Sequence, residues 1–227
     1  MMAKASQPRS VGKRILLLTG GLLLAATAAG AIFYGPELLG LLQLSKQIDK
    51  IASDNTRLGG PWPRASEACV SCHGFNGNAQ AQTYPRLAGQ PEAYLKKQLQ
   101  AFVSGERSDP TMTPMALSMS ERELDGLAAH FSRMQRLPNA SFRADPAQVK
   151  RGEALAKANN CAACHGQQLE GKEAYPRLAG QGYDYLQTQL TRFKSGARRD
   201  ASGAMPAVVA ALSTRDIDDL AQFMASR

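Results

Sequence analysis

Apolar positions recur at helical spacing in two stretches of the chain that mirror one another. Leu95, Leu99 and Phe102 fall at i, i+4 and i+7, and so do Leu186, Leu190 and Phe193. Gly105 and Gly196 follow them, where a left-handed C-terminal cap belongs. Two later stripes, Leu124/Leu127/Ala128/Phe131 and Ile217/Leu220/Ala221/Met224, keep equal offsets. Each opens on a capping pair, Ser120 with Glu123 and Ser213 with Asp216. Asp145-Pro146 opens a further helix that runs to about Ala158. No stretch alternates convincingly as a strand would, so the pattern predicts an all-α fold.

The start of the chain is patterned differently. A basic tail, residues 1–14, carries Lys4, Arg9, Lys13 and Arg14 and precedes an uncharged run from Ile15 to Tyr34. As a helix, that run would be about 30 Å long, enough to cross a hydrocarbon core. It predicts one transmembrane anchor over residues 15–35. The basic tail then stays cytoplasmic, and the rest of the chain faces the periplasm from a bacterial inner membrane. A cleaved signal peptide is the alternative reading. Small-x-small sites lie at Ala26-Thr27-Ala28 and Ala29-Gly30-Ala31, although the run exceeds the roughly 7–15 apolar residues of a signal core. Residues 36–59 read as a connecting segment, apolar and then amphipathic, kinked at Pro36.

Beyond that segment the chain repeats itself. "YPRLAGQ" stands at 84–90 and again at 175–181, each copy downstream of a Cys-x-x-Cys-His-Gly and upstream of "YLKKQLQAFVSG" or "YLQTQLTRFKSG". Two homologous lobes follow, 60–138 and 146–227. They are joined by a linker over 139–145 inside the breaker-rich "RLPNASFRAD". Lobes of about 80 residues have thin cores and need a staple. All four cysteines lie within the two motifs, so a disulfide between motif partners would close a trivially short loop.

The net charge of +8 does not point to nucleic acid. Residues 1–59 hold seven Lys/Arg against three Asp/Glu, and residues 60–227 hold twenty against sixteen. Half the excess therefore belongs to the tail, and the remainder carries no aromatic-studded basic stripe of the kind single-strand binders use.

The cysteines decide the chemistry. A redox dithiol needs Cys-x-x-Cys beside a strand–helix unit and leaves the following histidine unexplained; a zinc ribbon pairs its two knuckles across a modest loop. Here each motif, Cys69/Cys72/His73 and Cys161/Cys164/His165, sits in its own lobe. Covalent attachment of haem explains both thiols and the histidine, so the pattern predicts two haem c groups with His73 and His165 on the irons.

Only His130 is left among the three histidines, and it aligns with Phe223 in a packing position. Methionine is therefore the expected sixth ligand. Met112 and Met205 each lie eight residues before the capping serine, and they follow Cys69 and Cys161 by 43 and 44 residues. Met115 and Met119 miss that register. Pro114 predicts an extended Thr113, so that Met112 reaches the iron from a loop with Met115 packed behind it. His–Met ligation raises the reduction potential and leaves no open position, which argues against a peroxidase.

Residues 60–227 resemble the dihaem class I cytochromes c of the cytochrome c4 family, on the paired CxxCHG, the paired YPRLAGQ and the Met before each terminal helix. The resemblance implies two cytochrome c folds in pseudo-twofold symmetry with haems facing across the interface. It also implies that the Pro85 and Pro176 carbonyls hold His73 and His165, and that Arg86 and Arg177 lie near the propionates. One departure is "GGPWPRASEA", where the prolines shorten the helix expected before Cys69. The expected function is electron transfer from a quinol–cytochrome c oxidoreductase to a haem–copper terminal oxidase. The alternative is a haem subunit serving a periplasmic dehydrogenase, either a flavocytochrome or a quinoprotein. Neither reading makes the chain itself an enzyme or gives it a small-molecule substrate or nucleic-acid partner.

Overall fold

The computed structural model describes residues 65–200 and 202–227, with 20–21, 27–30, 33–35, 38–39, 41–42, 45–46, 48–50 and 52–53. The chain divides into two units, Met1–Trp62 and Pro63–Arg227. All the described residues of the first unit are helical. Phe33, Tyr34, Leu38, Leu39, Leu41, Leu42 and Ile48 there are all more than half exposed. No helix among the described residues is both long and apolar enough to cross a membrane. Residues 15–19, 22–26 and 31–32 of the expected anchor lie outside the described residues.

The second unit holds both lobes. Lobe 1 contains α1 (Val70–His73), α2 (Glu92–Ser104), α3 (Met112–Leu117) and α4 (Glu121–Ser132). Lobe 2 contains α5 (Pro146–Ala158), α6 (Ala162–His165), α7 (Tyr183–Ser195), α8 (Ala204–Val209) and α9 (Thr214–Ala225). The predicted punctuation is present. Gly105 and Gly196 end α2 and α7 at φ 78° and 77°, and both terminal helices carry complete capping boxes. At Asp145 the carboxylate accepts from the N–H groups of Ala147 and Gln148 at 2.7 and 3.1 Å, starting α5 at Pro146.

The lobes differ in how they are braced. In lobe 2, α5 packs on α9 at Gly152, where a Cβ would stand 2.0 Å from the Asp219 carbonyl oxygen. Arg151 closes the same crossing through two 2.7 Å bonds to buried Asp219. In lobe 1, among the described residues, a 3₁₀ turn, Ala65–Cys69, leads into the first motif. One buried cluster of lobe 1 joins Ala88, Leu95, Leu127, Ala128, Phe131 and Met134, and Phe102 and Leu124 are buried as well.

One expectation about the fold is corrected. Thr113 is helical, the second residue of α3, rather than extended. N–H groups in the first turn of a helix have no intrahelical acceptor, so Pro114 loses no bond by standing third. Pro206 stands third in α8 in the same way.

Gln90 and Gln181, the last residues of the two YPRLAGQ copies, tie the lobes together. Gln90 accepts from the Arg177 N–H and donates to the Arg177 carbonyl, both at 2.9 Å. Gln181 accepts from the Arg86 N–H at 2.6 Å and donates to the Arg86 carbonyl at 3.1 Å. Each lobe thus gives the other the same pair of bonds, the reciprocity that a twofold relation requires.

Candidate functional site

Each motif closes on a single helical turn, α1 or α6, preceded by its first cysteine. None of the four cysteines is in a disulfide, and all are half-buried. Burial pushes Cys69 up to about 11, with Cys72 and Glu67 adding to the rise, and burial also raises Cys161. A redox-active dithiol needs the opposite shift, toward the thiolate. Among the described residues, no group of three or more His, Cys, Asp and Glu side chains is placed to hold a metal ion.

Both histidines are buried and held from behind. His73 Nδ1 lies 2.9 Å from the Pro85 carbonyl oxygen, and His165 Nδ1 lies 2.8 Å from that of Pro176. A carbonyl only accepts, so Nδ1 must carry the proton, and the neutral ring presents its Nε2 lone pair on the other side. Burial lowers both imidazoles below their ordinary range, against the opposing pull of the carbonyl bond, which keeps the rings neutral. Tyr84 and Tyr175 pack edge-on against these rings at centroid distances of 6.4 and 6.2 Å.

In lobe 1 a cavity of about 410 Å³ is lined by Cys69, Cys72, His73 and Met112, with Leu95, Leu99, Phe102, Leu127 and Phe131 making its apolar wall. Met115 and Met119 also line it. Burial favours the register that pairs Met112 with Met205. Four residues beyond each lie Ala116 and Val209, both 1 % exposed. Seven residues beyond lie Met119, partly buried, and Leu212, buried. His130 packs edge-on against Phe131 at 5.0 Å.

In lobe 2, Cys161 and Met205 pack against one core cluster with Leu186, Leu190 and Phe193. Cys161 immediately precedes α6 and Cys164 lies inside it, just before His165. Three residues of helix advance a side chain by about 4.5 Å and leave it about 60° short of a full turn. Both cysteines are half-buried.

Arg86 and Arg177 are 2 % and 3 % exposed. Arg86 donates to the carbonyls of Ala79 (2.9 Å), Leu137 (2.6 Å) and Pro138 (3.3 Å), pinning the last residues of lobe 1 onto its interior. Arg177 donates to the carbonyls of Ala179 and, across the interface, Ala88 (2.8 Å). Its Nε is buried without an acceptor, and burial pushes the group down to about 10, with Arg136 and Arg86 contributing.

The comparisons with known proteins follow this geometry lobe by lobe. The cytochrome c family model matches residues 64–135 and 149–227. Cytochrome c4 of Thiocapsa roseopersicina is 34% identical over 178 residues, covering 71% of this chain and 91% of that one. The chain belongs to the cytochrome c4 family. The crystal structure of reduced recombinant cytochrome c4 from Pseudomonas stutzeri superposes with a TM-score of 0.66 at 34% identity, covering 71% of this chain and 94% of that chain. A thiosulfate dehydrogenase electron acceptor of Stutzerimonas stutzeri (strain A1501) is 34% identical over 202 residues, covering 83% of this chain and 93% of that one.

As a cytochrome c4 relative, the chain carries two covalent haem c groups, one through Cys69 and Cys72 and one through Cys161 and Cys164. It is an electron-transfer protein rather than an enzyme. Its own residues fit those groups. The lobe 1 cavity combines an apolar wall with Cys69, Cys72 and His73 on its lining, and Arg86 also lines it.

Sequence reasoning missed a set of polar groups between the lobes. Arg107 donates to Gln98 (2.8 Å) and, across the interface, to the Tyr185 hydroxyl (3.0 Å). Arg198 donates to Gln189 (2.8 Å) and, across the interface, to Gln98 (2.7 Å). Tyr94/Tyr185 and Gln98/Gln189 are identical in the repeated "YLxxQL", and that identity was the available signal.

Proposed function

We propose that this cytochrome is a membrane-tethered, periplasm-facing carrier in which His73 and Met112 hold one iron and His165 and Met205 the other. Haem bound in each lobe supplies a reversible one-electron couple. The protein's part is to close both irons: the proline carbonyls aim the imidazoles, the methionines take the remaining position, and apolar walls exclude water. The observation that carries this reading is the lobe 1 cavity, which gathers Cys69, Cys72, His73 and Met112 in one apolar space.

For the donor, a periplasmic dehydrogenase is the better supported choice. The likeness to a thiosulfate dehydrogenase electron acceptor covers 83% of the chain, more than the 168 residues of 60–227, so it takes in part of the N-terminal segment. A quinol-oxidising cytochrome complex is the second donor, and a haem–copper terminal oxidase is the acceptor in both cases. The exposed apolar side chains from Phe33 to Ile48 support a tether.

Native membranes test the scheme. Thiosulfate should reduce the cytochrome even when an inhibitor blocks quinol oxidation by the cytochrome complex. Reduction by quinol alone, abolished by that inhibitor, would assign the second donor. Detergent should be needed to release the full-length protein. Release by a salt wash, with an N-terminus near residue 32, would replace the tether with a cleaved signal.

A further inference from the structure

The loops that deliver Met112 and Met205 differ in length but end on the same bond. In lobe 1, Asp109 Oδ1 accepts from the N–H groups of Thr111 at 2.9 Å and Met112 at 3.0 Å. In lobe 2, Asp200 accepts from the N–H of Ser202 at 3.0 Å on Oδ1 and from that of Met205 at 3.0 Å on Oδ2. The aspartate stands three residues before the methionine in one lobe and five before it in the other. Two extra residues are therefore absorbed without losing the carboxylate–methionine bond. A bond that merely followed from local loop geometry would not survive that insertion.

The physical need is specific. A thioether is a weak, neutral ligand at the end of three freely rotating bonds, so its sulfur is only as well placed as its backbone. The N–H groups at the start of α3 and α8 have no intrahelical partners. A carboxylate supplies charge-assisted acceptors for them. Both aspartates are half-buried, which limits competition from water.

We propose that Asp109 and Asp200 are positioning residues that fix the backbone of Met112 and Met205, and through it the sulfur on each iron. This rests on the methionine ligation proposed above. Neither aspartate is required for haem attachment, so its removal should leave two haems per chain.

The test uses the full-length holoprotein with both haems attached. Asp109→Ala should weaken one of the two methionine-to-iron charge-transfer contributions in the oxidised spectrum. It should lower the potential of one haem and admit carbon monoxide to that haem alone. Asp109→Asn, which keeps a carbonyl oxygen in place, should restore all three properties. Asp200→Ala should repeat the effect on the other haem, giving a second reading through a differently built loop.

Met112→Ala separates the two layers. If it abolishes one contribution while Asp109→Ala leaves spectrum, potential and carbon monoxide exclusion at wild-type values, the positioning role is overturned and the ligand stands. An Asn variant as disturbed as the Ala variant also overturns it, because acceptor geometry would then be irrelevant. If Met112→Ala leaves both contributions intact, the ligand assignment itself falls.

Discussion

Tyr185 shows how far a single residue is set by neighbours from the other lobe. Burial alone would raise its phenol, but Arg107 and Arg198 outweigh that and push it down to about 8, aided by hydrogen bonds from Arg107 and Tyr94. Tyr94 moves the other way, raised first by burial and then by Tyr185, so the pair releases one proton easily and keeps the second. Because the folded value lies below the ordinary 10, ionisation of Tyr185 favours folding fully above pH 10, and this contribution is lost as pH falls through about 8. NMR of isotope-labelled tyrosine in the reduced protein should find one tyrosine titrating near pH 8, absent in Tyr185→Phe. If every tyrosine titrates at 10 or above, the Arg107–Tyr185 contact does not persist in solution. Cys69, Cys72, His73 and their lobe 2 counterparts were legible in the sequence because their spacing is itself the chemistry. What each thiol packs against was not, because the motif fixes only their separation. Tyr185 was hidden too, because its partner Arg107 is 78 residues away and meets it only once the lobes dock.

Helix existence, caps and stripes were legible for a similar reason: they depend on neighbours three or four residues away. The structure of α3 was not, since Pro114 disfavours helix at Thr113 in general but fits the first turn of a short one. Crossings between helices were also invisible, because they depend on distance rather than pattern. Gly152 gave no sign that it passes against the backbone of α9. Gly152→Ala would set a methyl carbon 2.0 Å from the Asp219 carbonyl oxygen, too close for either helix to stay in place. Repacking of this kind costs about 1–3 kcal/mol, occasionally more, and the Arg151–Asp219 pair would be strained with it. Chemical denaturation should show that loss as a lower unfolding midpoint. An unchanged midpoint would mean that α5 and α9 cross farther apart. Gly126, which aligns with Asp219 in lobe 1, is exposed, and Gly126→Ala should be neutral or slightly stabilising.

For the whole molecule, the repeat announced two lobes, and the docking chemistry lay in the last letter of YPRLAGQ. Gln90 and Gln181 are each 3 % exposed and satisfy the backbone of the arginine in the opposite lobe. Gln90→Ala would strand a buried N–H and carbonyl of Arg177, at about 1–3 kcal/mol for each group left unsatisfied. Calorimetry should show one unfolding transition for the wild-type holoprotein and two, one per lobe, for Gln90→Ala. A single transition with an unchanged midpoint would make the glutamine exchange incidental. The central claim, two closed irons in one carrier, is tested most directly by the methionine-to-iron charge-transfer band of the oxidised full-length protein, quantified per covalently bound haem. The account predicts two haems per chain and one methionine contribution from each. A band of half that intensity, or none, would contradict it by leaving at least one iron open or bound to something other than Met112 or Met205.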